Sequence, residues 1–328
     1  MGIIYGPVPS RRLGMSLGID PIPRLICTFD CTYCQLGRKR LKVRGPEEVA
    51  EPFPSPDEIA DEIKTALKKY EHIDYITFSG SGEPTLNPKL GETIEKIRAF
   101  TSIPIALITN SSLLTRPDVF DAAANCDLVL PTLDAGDRDT FVRINRPSLG
   151  FDIDEIAEAI GKLARRVPVW LEVMLVQSEK YGSNTSKEAI AGIIEKIRMI
   201  RPHEVNLNTC VRPPEEPIDP VPEEELEEIR ARMEAEVPGI PIVVVPKRAG
   251  SQSKLLREEE VSAEILRILS VRPCTTADLT DSLGINPAEV GKYLARLAEA
   301  DRIVRRVHKG RMYYAAVEDR PAKDDNKV

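Results

Sequence analysis

The chain has 328 residues, of which 42% are hydrophobic and 30% are charged, and its formal net charge is −7 at pH 7. This balance is typical of a globular protein of about two domains, and it excludes a strongly basic field over the whole molecule of the kind that attracts nucleic acid. No apolar run approaches the ~18 residues that cross a bilayer, and no signal peptide begins the sequence, so we expect a cytoplasmic protein.

Short β-branched segments alternate with amphipathic segments between about residue 25 and residue 245. The expected strands are, in chain order, Leu25–Cys27, Tyr75–Ser79, Ile105–Thr109, Leu128–Pro131, Val169–Val176 and Glu204–Leu207. Between them, helices with apolar residues at helical spacing are expected at Pro56–Tyr70, Ile153–Arg166 and Ser186–Met199. Six strand-then-helix units in series predict an α/β fold, a partial (βα)6 TIM-like barrel, with reactive groups at the carboxyl ends of its strands.

The pattern changes towards the end of the chain. A polar helix is expected at Glu223–Glu236 and a short strand at Ile242–Val245, after which the alternation stops. Four elements follow: helices at Val261–Leu269 and Thr275–Leu283, a helix from Ile285, and a hairpin over Ile303–Ala316. This order is typical of a winged helix-turn-helix domain. We therefore expect a barrel over 1–250, a linker over 251–257, a winged helix domain over 258–318 and a disordered tail over 319–328.

Three of the six cysteines lie within eight residues, after the first expected strand. They are Cys27, Cys31 and Cys34. Three thiolates at this spacing can each bind one iron of a 4Fe–4S cluster, and because no fourth cysteine is close in sequence, one iron would keep an open position. That iron could chelate the amino and carboxylate groups of a methionine and hold its sulfonium for one-electron reduction. A zinc knuckle and a chance grouping of thiols are the alternatives, although structural zinc usually has four protein ligands.

The spacing CxxxCxxC, with an aromatic residue before the last cysteine, resembles the signature of the radical S-adenosylmethionine (radical SAM) superfamily. Three further segments follow in the family's order. SGSGEP (79–84), called the GEP segment below, is similar to the family's GGEP element. ITNS (108–111), the TN segment, is similar to its TNG element, and TLDA (132–135) to its SLDA element. The resemblance implies a 4Fe–4S cluster on the three cysteines and S-adenosylmethionine beside it. The residues expected at the cofactor are Tyr33, Gly82, Glu83, Pro84, Thr109, Asn110, Asp134 and Glu172.

Several of these residues also have a purely structural interpretation. Glu83 can belong to a capped turn, and Thr109 and Asn110 can cap the following helix. Asp134 can cap a helix or hold a ribose hydroxyl. Glu172 would approach the nucleoside if its side chain faces the barrel interior, and a salt bridge is the equal alternative.

A closer resemblance rests on four segments. They are PSRRLGMSLGID, CTYCQLG, GSGEPTLNP and NRP. These are similar to an anaerobe-associated group of radical SAM proteins related to the archaeal wyosine-base (4-demethylwyosine) synthases, which act on transfer RNA. Those synthases carry extra cysteines on both sides of the main motif for a second cluster. This chain has no cysteine before Cys27 and none between Cys34 and Cys126, so we expect no second cluster.

Other polar residues are candidates for roles outside the cofactor motifs. Asn206 and Asn208 flank the end of the sixth strand, a suitable place for ligand contacts. Four arginines could bind an anionic substrate or form structural ion pairs: Arg11, Arg12, Arg143 and Arg146. The remaining cysteines are expected to be ordinary buried thiols, with an active-site position as the alternative for the second of them: Cys126, Cys210 and Cys274.

Basic residues cluster on the third helix and hairpin of the expected winged helix domain: Lys292, Arg296, Arg302, Arg305, Arg306, Lys309 and Arg311. Such a face suits phosphate contacts, which makes nucleic acid a candidate partner. The alternative is a solvated face on a protein-docking module.

The resemblance implies an enzyme that receives an electron from ferredoxin or flavodoxin and cleaves S-adenosylmethionine to methionine and a 5′-deoxyadenosyl radical. That radical takes a hydrogen atom from a substrate. The substrate could be RNA held by the winged helix domain, or a small metabolite or protein with that domain as a docking module. A redox-sensing transcription regulator is a third hypothesis, which the GEP and TN segments disfavour because a sensor has no need of them.

Overall fold

The computed structural model describes residues 2–36, 41–70, 72–214, 216–245, 258–285 and 287–317, with only the backbone at 258–260. Its strands are β1 (Ile4–Ser10), β2 (Gly14–Ile19), β3 (Ile26–Cys27), β4 (Leu41–Lys42), β5 (Tyr75–Phe78), β6 (Ile105–Thr109), β7 (Leu128–Pro131), β8 (Trp170–Gln177), β9 (Glu204–Thr209), β10 (Asp219–Pro220), β11 (Ile242–Val244), β12 (Ile303–His308) and β13 (Arg311–Ala316). Its helices are α1 (Pro56–Lys69), α2 (Leu90–Arg98), α3 (Pro117–Ala124), α4 (Arg138–Asn145), α5 (Ile153–Leu163), α6 (Lys187–Ile200), α7 (Glu223–Glu236), α8 (Glu258–Val271), α9 (Thr276–Leu283) and α10 (Pro287–Glu299). The expected linker 251–257 and tail 319–328 lie outside the described residues.

The central strands form a parallel arc. Strands β2, β5, β6 and β7 pair in parallel, and β8, β9 and β11 continue in the same sense. Parallel bridges from Val129 to Val169 and from Thr132 to Glu172 join the two groups. Strand β1 adds to the edge antiparallel to β2, and β10 lies antiparallel to β8. This is the α/β partial barrel that the sequence predicts.

The first barrel strand is not the expected one. The sequence predicts it at Leu25–Cys27, but β2 occupies that place, with Ile19 opposite Phe78 of β5. Leu25 has a left-handed φ of 60°, and β3 pairs with β4 in a separate two-stranded ribbon. Glycines weaken the strand signal of β2. Gly18 is nevertheless required, since a Cβ there would lie 2.1 Å from the ring of Tyr5.

Polar caps fix the starts of the barrel helices. The Ser55 side chain accepts a hydrogen bond from the backbone N–H of Glu58, whose carboxylate accepts one from the N–H of Ser55, ahead of the proline that opens α1. The side chains of Asp152 and Ser186 cap α5 and α6 by accepting hydrogen bonds from backbone N–H groups of the first turn. The buried faces of these helices pack on the arc and form the main core.

The last three helices and the hairpin β12–β13 form the C-terminal unit (residues 258–285 and 287–317). Its elements lie where the sequence predicts them. Val8 of β1 belongs to the core of this unit. The backbone N–H of Gly6 donates to Glu264 Oε1 at 3.0 Å, and the Tyr313 hydroxyl donates to the carbonyl of Val211 at 3.0 Å. The C-terminal unit therefore packs directly on the barrel.

In the part of the chain that the structure describes, no helix combines the length and the apolar character needed to span a membrane.

Candidate functional site

A cavity of about 350 Å3 opens where the carboxyl ends of the barrel strands meet. Its walls come from the cysteine loop, from the segments after β5 and β6, and from the ends of β8 and β9. Val271 and Arg272, at the end of the C-terminal unit's first helix, close one side. Reactive groups in barrels of this kind collect at this end of the strands.

The loop that carries Cys27, Cys31 and Cys34, called the cysteine loop here, is hydrogen-bonded to the end of α4. The backbone N–H of Thr32 donates to the carbonyl of Ile144 at 2.9 Å, and the N–H of Cys34 donates to the carbonyl of Cys31 at 3.0 Å. These bonds turn the loop so that all three of its thiols line the cavity: Cys27, Cys31 and Cys34. The three cysteines that the sequence assigns to one site therefore line one cavity.

In a 4Fe–4S cluster each thiolate bonds a different iron, and three thiols of one loop suit such a cluster. Within the described residues, no group of three His, Cys, Asp or Glu side chains is arranged to hold a single metal ion. Burial and the nearby Asp134 raise the pKa of Cys31, so its thiolate needs a bound cation. Amide groups of Asn110 and Asn145 lie 3.4 Å and 3.6 Å from the sulfur atoms of Cys27 and Cys31.

Glu83 joins two of the cofactor segments. Its Oε1 accepts hydrogen bonds from the hydroxyls of Thr85 at 2.6 Å and Thr109 at 2.7 Å, and its Oε2 accepts one from the backbone N–H of Asn110 at 2.8 Å. Burial raises the pKa of Glu83, and these donors oppose the shift. The carboxylate therefore fixes the ends of β5 and β6 relative to each other at the cavity wall. Pro84 follows it and is buried.

Gly82 allows the GEP segment to approach the two-stranded ribbon of β3 and β4, in which β3 ends at Cys27. A Cβ at this position would lie 1.8 Å from the carbonyl oxygen of Ile26 in β3. The backbone N–H of Glu83 donates to that oxygen at 3.2 Å. The strand that ends in Cys27 is thus tied to the GEP segment by a contact that only glycine permits.

Asp134 lies one layer behind the cavity wall. Its Oδ2 accepts hydrogen bonds from the Tyr33 hydroxyl at 2.5 Å and from Asn145 Nδ2 at 2.7 Å, and its Oδ1 accepts one from the Met174 N–H at 2.8 Å. Burial raises the pKa of Asp134 to about 6, against the effect of these donors. The carboxylate positions Tyr33, which does line the cavity.

Glu172 lines the cavity as part of an ion pair. Its Oε2 lies 2.6 Å from Arg12 Nη1, and its Oε1 accepts a hydrogen bond from Asn208 Nδ2 at 3.0 Å. Asn206, the other asparagine of β9, instead donates to Glu204 at 2.9 Å.

The scattered cysteines occupy different places. Cys210 lines the cavity, and its thiol donates to the carbonyl of Arg212 at 3.2 Å. The pKa of Cys210 is raised to about 12, mainly by burial and to a smaller extent by the nearby Cys34. Cys126 is buried in the barrel core and Cys274 in the core of the C-terminal unit. The active-site alternative for Cys210 agrees with this placement.

Two of the four candidate arginines, Arg143 and Arg146, are not among the residues that line the cavity and make structural contacts elsewhere. Arg146 lies 3.1 Å from Glu216, and Arg143 donates to the carbonyl of Ser183 at 3.3 Å. Two other arginines, Arg212 and Arg272, line the cavity although sequence reasoning did not select them. Arg212 follows the sixth predicted strand closely, which is a usable signal. Nothing in the sequence connects Arg272 with the barrel.

The basic residues of the C-terminal unit do not all face away from the barrel. Lys309 Nζ lies 2.6 Å from Asp219 of β10, and Arg311 lines a second cavity between the unit and the barrel. Arg305 on β12 is exposed.

Residues 22–183 match the family model described as the radical SAM superfamily. A UPF0026 protein of Methanocaldococcus jannaschii is 35% identical over 322 residues, which are 96% of both chains. A UPF0026 protein of Helicobacter pylori is 32% identical over 281 residues, 84% of this chain and 86% of that one. A protein named GTPase Obg from Brachyspira hyodysenteriae is 35% identical over 95% of this chain, which spans only 45% of that relative.

Among solved structures, a radical SAM methyltransferase from Sphaerobacter thermophilus is similar in fold, with a TM-score of 0.52 and 17% identity. The match covers 70% of this chain and 66% of that one. At this identity the likeness concerns the fold alone, and it agrees with the parallel arc of strands described above.

Proposed function

Because the chain belongs to the UPF0026 family within the radical SAM superfamily, we propose that it cleaves S-adenosylmethionine reductively and that the 5′-deoxyadenosyl group takes a hydrogen atom from a substrate. Members of the superfamily use a 4Fe–4S cluster and S-adenosylmethionine. One observation carries the proposal. The three thiols of the cysteine loop, the GEP segment and the Thr109–Asn110 segment line a single cavity at the carboxyl ends of the strands.

The chain's own residues have separable tasks. Cys27, Cys31 and Cys34 would hold the cluster, which when bound supplies one electron to the sulfonium of S-adenosylmethionine. Asn110 and Asn145 place amide donors beside two of the thiols. Ferredoxin or flavodoxin is the proposed electron donor, because each delivers single electrons.

The test is anaerobic reconstitution of the full chain, with iron and sulfide assayed before dithionite and S-adenosylmethionine are added. We expect about four irons per chain and slow release of 5′-deoxyadenosine and methionine. Cys27→Ala, Cys31→Ala and Cys34→Ala should each abolish both. Cys126→Ala is the matched control, because Cys126 is a buried thiol in the barrel core.

Two results would contradict the proposal. Full iron content in any of the three loop variants would remove the assigned ligands. A fully reconstituted cluster that releases no 5′-deoxyadenosine would instead support the redox-sensing regulator.

RNA as the substrate rests on the exposed part of the basic surface of the C-terminal unit. The proposal is weakened by the orientation of Lys309 and Arg311 toward the barrel. Binding of transfer RNA that falls steeply with salt, and falls further in Arg305→Gln, would support RNA, since each phosphate contact releases counterions.

A further inference from the structure

Four guanidinium groups gather where the barrel cavity meets the C-terminal unit. They come from the turn between β1 and β2, from the loop after β9 and from the end of α8: Arg11, Arg12, Arg212 and Arg272. Two carboxylates also line this cavity: Glu172 pairs with one of the arginines, and Glu83 accepts hydrogen bonds from the segments after β5 and β6. The cluster therefore carries an excess of positive charge in a partly buried place.

The pairing of each group shows which charges remain unbalanced. Arg12 is neutralised by Glu172. Arg11 Nη1 donates to the amide oxygen of Asn208 at 3.1 Å, which is an uncharged partner. Among the described residues, no carboxylate forms an ion pair with Arg11, Arg212 or Arg272, and the buried Nε of Arg272 has no hydrogen-bond partner. Buried donors of this kind are costly unless a ligand satisfies them.

Burial and the charges of the neighbouring arginines act together on the pKa values of these groups. Burial, followed by the charges of Arg212 and Arg12, lowers the pKa of Arg11 to about 9, with Glu172 acting in the opposite direction. Burial and the nearby Arg272 lower the pKa of Arg212, against the effect of Asp278. An anion entering between the groups would relieve this repulsion and supply the missing acceptors.

Space for a ligand lies on both sides of the arginines. A second cavity of about 320 Å3, which Asp278, Asp281 and Arg311 also line, lies between the barrel and α9 of the C-terminal unit. Arg11 and Arg212 line both cavities. An anionic group held there would leave one part of the same molecule facing the cysteine cavity and another part in the second cavity. The C-terminal unit packs on β1 and closes one side of this region, and cavities of about 350 Å3 and 320 Å3 suit a small molecule better than a nucleic acid chain.

We propose that the substrate is a small anionic molecule whose phosphate or carboxylate group binds Arg11, Arg212 and Arg272, so that the C-terminal unit completes the active site. This inference rests on the proposed function, because it assigns a substrate class to the same cavity. Planar guanidinium groups bind both kinds of oxyanion through paired hydrogen bonds.

The test uses the full, reconstituted chain with S-adenosylmethionine present and no reductant. Inorganic pyrophosphate and citrate serve as the phosphate and carboxylate probes, and calorimetry measures their binding. We expect at least one probe to bind, and Arg212→Gln and Arg272→Gln each to weaken that binding by about 10-fold or more, as for loss of a charged hydrogen bond. The probe that binds more tightly identifies the source of the anion.

Arg305→Gln, at an exposed position on β12, is the matched control and should bind the probe as the wild type does. Thermal unfolding without probe separates loss of binding from loss of folding, and Arg212→Lys, which keeps the charge, should retain part of the affinity. The inference is overturned if neither probe binds at millimolar concentration, or if the folded glutamine variants bind the probe as well as the wild type does. Transfer RNA binding that only Arg305→Gln weakens would also overturn it.

Failure of the proposed function gives a different result. The same preparations are assayed for 5′-deoxyadenosine with dithionite. Arginine-dependent anion binding without release of 5′-deoxyadenosine would support the anion site and contradict the proposed radical reaction. Release of 5′-deoxyadenosine without anion binding would remove only the anion site.

Discussion

Glu172 is a buried carboxylate on β8 whose charge is balanced by Arg12. Burial alone raises the pKa of Glu172, but the charge and hydrogen bonds of Arg12, together with the bond from Asn208, lower it overall. The carboxylate is therefore ionised at neutral pH, and both of its oxygens are bound, one to Arg12 and one to Asn208. Of the two interpretations that the sequence leaves equal, the geometry favours the salt bridge over contact with the nucleoside.

Removal of Arg12 should expose the cost of that buried charge. The two side chains are only 13% and 10% exposed, so Arg12→Met leaves Glu172 unpaired away from water. We expect the free energy of unfolding to fall by about 3–5 kcal/mol. The double variant Arg12→Met/Glu172→Met should recover most of the loss, because it removes both charges. Guanidinium denaturation of the wild type, Arg12→Met, Glu172→Met and the double variant measures the cycle.

Arg138→Met is the control for this cycle. Its partner Asp152 lies 3.7 Å away, and the Arg138 side chain is 72% exposed. A surface pair of this kind should change stability by less than about 1 kcal/mol. A double variant no more stable than Arg12→Met would show that the buried charge is not the cause of the loss.

At the scale of elements, the contact between the GEP segment and β3 determines where Cys27 lies. Gly82→Ala places a methyl group against the backbone carbonyl of Ile26, which cannot move without moving Cys27. We expect this variant to fold but to bind clearly less iron after reconstitution. Iron content per chain, together with circular dichroism, separates the two effects.

The matched control is Gly91→Ala in α2. A Cβ at Gly91 meets its nearest neighbour at 3.6 Å, an ordinary contact, and alanine favours the helix by up to about 1 kcal/mol. Iron content should be unchanged and stability equal or higher. Full iron content in Gly82→Ala would mean that the ribbon can shift without disturbing the cysteine loop.

Most of the arc could be predicted from the sequence, because β5 to β9 are apolar runs separated by amphipathic helices, of which α4, α5 and α6 begin with polar caps. Strand β2 could not, since Gly14 and Gly18 hide its pattern and Tyr5 from the neighbouring strand supplies the missing side-chain volume. The cofactor segments could be predicted because they are contiguous in sequence. The hydrogen bonds of Glu83 and Asp134, which join separate segments, required the structure.

At the scale of the whole molecule, the docking of the C-terminal unit is what the sequence could not show. Its helices and hairpin are predicted by local spacing, but its contacts with β1 depend on residues more than 250 positions apart, such as Gly6 and Glu264. Arg272 acquires its place at the cavity only through this docking. The interface between the two parts therefore determines which residues line the cavity.

Glu264 makes that interface sensitive to pH. Burial raises the pKa of Glu264 above its ordinary value of 4.5, although Arg267 and the backbone N–H of Gly6 oppose the shift. The folded state thus holds the proton more tightly than the unfolded state does. The stability associated with this proton is present below about pH 4.5 and is lost as the pH rises through the folded pKa.

Glu264→Gln removes this titration and keeps an oxygen that can accept from Gly6. We therefore expect the wild type to lose stability relative to Glu264→Gln between pH 4.5 and pH 7.5, when thermal unfolding midpoints are compared at fixed salt. Glu158→Gln is the control with the opposite sign, because the exposed Glu158 has its pKa lowered by a hydrogen bond from Lys162. The stability of the wild type relative to Glu158→Gln should increase slightly as the pH rises. If the difference between wild type and Glu264→Gln is constant across the range, the carboxyl does not titrate at the interface, and docking of the C-terminal unit depends on its other contacts, such as those of Val8 and Tyr313.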